Sequence, residues 1–117
     1  WEAIRGGAVG RRRTYDNLVD QFLPAKYEPA SFALRLAHKD VTLATQLGRD
    51  LGVPMRLSNM ALADMTEAMN RGWENKDSRI AMVPQLDRSG VTVKVDEARI
   101  KAALARDPAS PGDPKRS

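Results

Sequence analysis

The sequence predicts an all-α chain, and three observations carry that expectation. Apolar residues recur at three- and four-residue spacing through two long stretches, Ser31–Leu51 and Met55–Arg71. Glycine closes each stretch, at Gly52 and Gly72, and Pro54 bars continuation of the first. The one β-prone run, Val91–Val95, has no second strand to pair with.

The elements follow in order. Trp1–Arg5 reads as the end of a helix stopped by Gly6-Gly7. Arg11–Leu23 is a second helix candidate that turns Leu18, Phe22 and Leu23 toward a core. Pro24 to Pro29 is a connection, because two prolines break any helix there. Ser31 is the expected N-cap of the long helix through Leu51. On that helix Leu36, Leu43, Leu47 and Leu51 fall on one face, which reads as its core side. The next helix, Met55–Arg71, carries the stripe Leu57, Met60, Ala61, Met65 and Ala68. Asp77 or Ser78 caps a further helix from Arg79 to about Arg88, with Pro84 as a kink or break. Asp96 caps a short helix, Glu97–Ala105. Residues 1–105 form one helical unit, and the Pro-, Gly- and Ser-rich residues 106–117 are expected to be a disordered tail.

Composition narrows the chemistry. The chain has 117 residues, enough for one domain, and only 5% of them are aromatic. It has no cysteine and one histidine, His38, which excludes thiolate chemistry and argues against a zinc site. No apolar run approaches the roughly 20 residues that a membrane span needs. A cytoplasmic protein without a membrane partner is the expectation. The net charge of +4 is concentrated at the two ends and balances between them, so it does not describe a basic face. The chain opens on Trp1, which reads as a fragment of a longer protein.

Several motifs have an ordinary explanation. Gly6–Gly10 is glycine-rich, but no strand precedes it and its spacing is not that of a dinucleotide loop. It reads as a helix stop. Arg11–Arg13 read as a solvated helix start, with phosphate contact as the alternative. His38 points away from the leucine stripe and reads as exposed. The pair Lys39-Asp40 is different, because Asp40 falls inside the leucine stripe and Lys39 on its edge. A charge on a core face is costly unless paired. Either Asp40 makes a buried structural contact, or the stripe is core at one end and the wall of a cleft at the other.

The segment from Glu28 to Met55 resembles the C-terminal helical domain of the β-hydroxyacid dehydrogenases, the 3-hydroxyisobutyrate dehydrogenase-like family related to 6-phosphogluconate dehydrogenase. The matching pattern is Phe32, then Lys39-Asp40, an apolar helix, and Gly52-Val53-Pro54. Gly72 followed by Asp77-Ser78 continues it. The resemblance covers roughly residues 1–90. Asp64 stands where the pattern has glutamate, and residues 91–117 have no counterpart.

The resemblance implies that this helix faces a cleft against an upstream Rossmann domain. Lys39 would approach the nicotinamide end of NAD or NADP, Asp40 would orient the catalytic lysine or the substrate, and Phe32 would line the substrate pocket. It implies a small hydroxy-acid substrate interconverted with its semialdehyde, and a homo-oligomer built through the helical domains. The catalytic Gly-x-x-x-Lys-x-x-x-Asn segment does not occur in this sequence, so the chain by itself is expected to be inactive. The rival expectation is a stand-alone helical module binding nucleic acid, through Arg5 and Arg11–Arg13, or another protein.

Overall fold

The computed structural model describes residues 1–5, 15 and 17–106. Its α-helices are α1 (Glu2–Arg5), α2 (Leu34–Asp50), α3 (Arg56–Asn70), α4 (Val83–Arg88) and α5 (Glu97–Arg106). Short 3-10 helices span Asn17–Val19 and Ser78–Met82. Among the described residues there is no strand, only an isolated antiparallel bridge between Ala33 and Asp77.

The glycine stops act as the sequence requires. Gly52, Gly72 and Gly90 take φ of +67°, +78° and +64°, a region costly for residues with a Cβ. Beyond α2 the Gly52 amide donates to Arg49 O (3.1 Å) and the Val53 amide to Gly48 O (2.8 Å), the paired bonds of a Schellman ending. The same pattern closes α3 through Gly72 and Trp73, and α4 through Gly90 and Val91. Asp96 caps α5 by accepting from the Ala98 amide, and this helix runs one residue past the expected end, to Arg106.

Two local expectations are corrected. Within Arg11–Leu23, Tyr15 is α-helical but residues 17–23 form a 3-10 turn at Asn17–Val19 followed by further turns, so no helix runs on to Leu23; 11–14 and 16 lie outside the described residues. Ser31 does not cap α2. The N-cap is Ala33, and the first helical amides are satisfied from a distant loop: Leu34 N donates to Lys76 O (2.8 Å) and Arg35 N to Glu74 O (2.9 Å). A loop that supplies carbonyls makes a capping side chain unnecessary. Of the two alternatives for the 79–88 helix, the break at the proline is the one found: a 3-10 segment capped by Asp77 leads into α4, with Pro84 in its first turn.

The main core sits where α2, α3 and the 78–82 segment meet. Leu34, Ala68 and Ile80 are buried there, with Tyr27, Met65, Met69, Trp73, Ala81 and Val83 packed around them. Gly48 lets Met55 close over α2, its Sδ lying 2.6 Å from where a Cβ would stand. A second apolar cluster joins the two ends of the chain. Ile100 and Ala103 of α5 are buried near Trp1 and Leu23, and residues 91–96 run extended so that the Val95 amide reaches Leu23 O (2.7 Å). Ion pairs Arg106–Glu2 and Lys26–Glu97 flank it. Residues 107–117, expected to be a disordered tail, lie outside the described residues.

Candidate functional site

Helix α2 turns most of its leucine stripe to solvent, with only Leu36 half-buried, which overturns the expectation that the whole stripe is the core face. Leu43, Leu47 and Leu51 are 61%, 59% and 68% exposed, whereas Leu34, Ala37, Thr45 and Gly48 are buried. At about 100° per residue the buried arc is centred roughly 120° away from the stripe. Small residues occupy the inner side because another helix packs closely there, and Thr45 satisfies its hydroxyl by donating to Thr42 O (3.0 Å). The stripe of α3 divides in the same way. Ala68 is buried and Met65 half-buried, but Leu57 is 80% exposed and Met60 67%. Val53 between the helices is exposed as well, so an apolar surface runs along the hairpin.

Lys39 and Asp40 emerge on this outer face of α2. The Lys39 Nζ lies 2.9 Å from Asp40 Oδ1, and both side chains are more than half exposed. Neither is buried, so the desolvation penalty expected for a charge in a core does not arise. What is unusual is their setting: a charged pair amid apolar residues that nothing among the described residues covers. Phe32, one residue before the N-cap, is also exposed. All three site residues are thus exposed, Lys39 and Asp40 in the N-terminal half of α2 and Phe32 just ahead of that helix. His38, expected to be exposed, is instead half-buried, with Nε2 3.0 Å from Thr66 Oγ1 of α3.

Behind Phe32 lies a buried polar ring that the sequence did not reveal. Asp77 is fully buried. Its Oδ2 accepts from the amides of Ser31 (3.0 Å) and Phe32 (3.3 Å), and its Oδ1 from the amide (3.1 Å) and guanidinium (3.0 Å) of Arg79. Gln21, also buried, closes the ring by donating to Ser31 Oγ (2.6 Å) and accepting from Arg79 (3.3 Å). Burial by itself would raise the Asp77 carboxyl. The hydrogen bonds from Arg79 and Phe32 and the Arg79 charge outweigh it and hold the group below its ordinary value. The same carboxylate, after burial, pushes the Tyr27 hydroxyl up. Asp77 was legible as a helix cap, but its partners at 31 and 32 lie 46 and 45 residues away, and no local pattern announces them.

The first amides of α2 are occupied by the 74–76 carbonyls, so that helix start is closed to an anion. No glycine-rich strand–loop–helix unit exists among the described residues, and Gly6–Gly10 lie outside them. Arg35, Lys39 and Arg49 are exposed cations on α2. No group of His, Asp or Glu among the described residues could hold a metal ion. No helix there is long and apolar enough to cross a membrane. Arg5 is buried with its guanidinium 4.9 Å from the Trp1 ring, which removes it from a nucleic-acid surface. Arg11–Arg13 lie outside the described residues.

Comparison with known families gives one match. A family model described as the NAD-binding of NADP-dependent 3-hydroxyisobutyrate dehydrogenase matches residues 1–85. None of the curated proteins compared with the chain matches it. The family match spans most of the sequence, through the main core and into the first turn of α4. The chain belongs to this family of helical dehydrogenase domains associated with a nicotinamide cofactor.

Proposed function

We propose that this chain is the C-terminal helical domain of an NAD(P)-dependent oxidoreductase that interconverts a 3-hydroxy acid and its semialdehyde. In this reading the outer face of α2 forms one wall of the active-site cleft against a Rossmann domain. The observation that carries it is the exposed Lys39–Asp40 pair set in an uncovered apolar stripe, on a chain of this family. A purely structural ion pair needs no apolar surround left open, whereas a pocket wall combines apolar lining with a few polar groups.

The cofactor, when bound, supplies the hydride acceptor. Lys39 places its ammonium at the nicotinamide end, where a cation also favours negative charge developing on the substrate oxygen. Asp40 orients the group that takes the hydroxyl proton, a lysine of the segment absent from this chain. Phe32 shapes the pocket for the carbon skeleton. The remaining apolar surface, Leu47, Leu51, Val53 and Leu57, pairs with a second copy of the helical domain.

The test uses the complete enzyme. Asp40→Asn is nearly isosteric and should lower kcat by ~10- to 1000-fold without an early melt. Lys39→Ala should mainly raise the KM for the cofactor, because it removes a contact made in ground and transition states alike. Wild-type turnover per folded molecule in both variants would refute the assignment.

A further inference from the structure

We propose that Asp77 is a positioning residue for this site: its buried carboxylate fixes the main chain at Ser31 and Phe32, and so sets the Phe32 side chain and the start of α2. This rests on the pocket role given to Phe32 above.

Phe32 precedes the N-cap, so the helix ladder gives its amide no partner. That amide is held by Asp77 Oδ2, and the Phe32 carbonyl accepts from the Ser78 amide at 2.8 Å. Two consecutive residues of one loop therefore grip Phe32 on both sides. The Asp77 amide, donating to Tyr27 O (2.9 Å), ties the same loop to the connection before α2. A carboxylate suits the position because its two oxygens serve four donors. Asparagine has one acceptor oxygen, and its NH2 would face two N–H groups.

The two oxygens divide the labour. Oδ2 serves the Phe32 side, while Oδ1 serves Arg79, whose guanidinium also reaches Gln21. This division separates a positioning role from a structural one. In the complete enzyme, Asp77→Asn should raise the KM for 3-hydroxyisobutyrate by ~10-fold with a smaller change in kcat, because misplacement of a binding group by a fraction of an ångström weakens its contact. Hydrogen exchange at the Ser31 and Phe32 amides should quicken. Arg79→Gln leaves the Oδ2 bonds in place and should lower the melting temperature while KM stays within twofold. Gln21→Met keeps the volume but releases the Ser31 hydroxyl, leaving its main chain held by Asp77 alone, and should give an intermediate KM; it carries the test if Asp77→Asn fails to fold.

Phe32→Ala separates the two levels of inference. If it raises KM while neither Asp77→Asn nor Gln21→Met does, the positioning role is overturned and the pocket stands. If Phe32→Ala leaves KM unchanged, the pocket assignment falls and the positioning role falls with it. Equal kinetic effects of Asp77→Asn and Arg79→Gln per folded molecule would show that the ring acts through stability alone.

Discussion

The outer face of α2 and the ring behind its first turn exchange the usual roles of apolar and polar residues. Outside, three leucines stand mostly in water with a charged pair among them. Inside, an aspartate and a glutamine are buried, and the aspartate is ion-paired to arginine. The ring can be buried because every donor facing Asp77 is met by a carboxylate lone pair, so desolvation is offset by charge-assisted hydrogen bonds. The leucines are exposed because the described residues offer nothing to cover them. At ~25 cal/mol per Å2, a few hundred Å2 of such surface provides several kcal/mol of drive toward a partner. Burial therefore follows which neighbours the fold supplies.

The comparison is broken most directly by truncating a leucine on each side. Leu34→Ala, in the core, should cost about 2–5 kcal/mol in a denaturant melt. Leu43→Ala, on the outer face, should cost less than about 0.5 kcal/mol at dilutions where the chain is monomeric. Equal losses would mean that the stripe is covered within the chain.

A test of what the stripe is for comes next. The chain should associate at micromolar concentration, and the double variant Leu47→Lys, Leu57→Lys should weaken that association by ~10-fold or more while keeping the melting transition. Light scattering on a size-exclusion column over a hundredfold dilution series decides it. A monomeric mass for the unchanged chain at every concentration would remove the apolar face as an interface.

The ring predicts a particular response to acid. A carboxyl whose folded value is depressed adds stability above its unfolded value, about 4, and loses it as pH falls through the lower folded value. Melting temperatures should therefore fall more steeply below about pH 4 in the wild type than in Asp77→Asn, and the two curves should converge in acid. Parallel curves would mean that the carboxylate does not carry the ring.

The smallest effect is expected where both regions are distant. Arg106→Gln removes an exposed ion pair with Glu2 and should leave the melting temperature within error of the wild type, because solvent screens such pairs. A large loss would show that the terminal cluster, rather than the α2–α3 core, limits stability.

What the sequence determined by itself is local. Periodicity and glycine placed α2 and α3 within two residues of their ends, since a positive φ at Gly52 and Gly72 is a property of the residue and its immediate chain. Asp77 and Asp96 were legible as caps for the same reason, their partners lying two residues on. The order Phe32, Lys39-Asp40, Gly52-Val53-Pro54 indicated the family. Tertiary structure decided the rest. Periodicity defines a face but does not say which face is covered, so the leucine stripe of α2 read as core while its small residues, Ala37, Thr45 and Gly48, took the buried side. The loop at 74–76 replaced Ser31 as the cap of α2, and Pro24 together with the ties from Leu23 and Gln21 to distant residues kept 17–25 in turns rather than a helix. These outcomes depend on groups far apart in the chain, such as Leu34 with Lys76 and Leu23 with Val95, meeting at hydrogen-bond distance, and such meetings leave no trace in local spacing because they are set by how the helices pack.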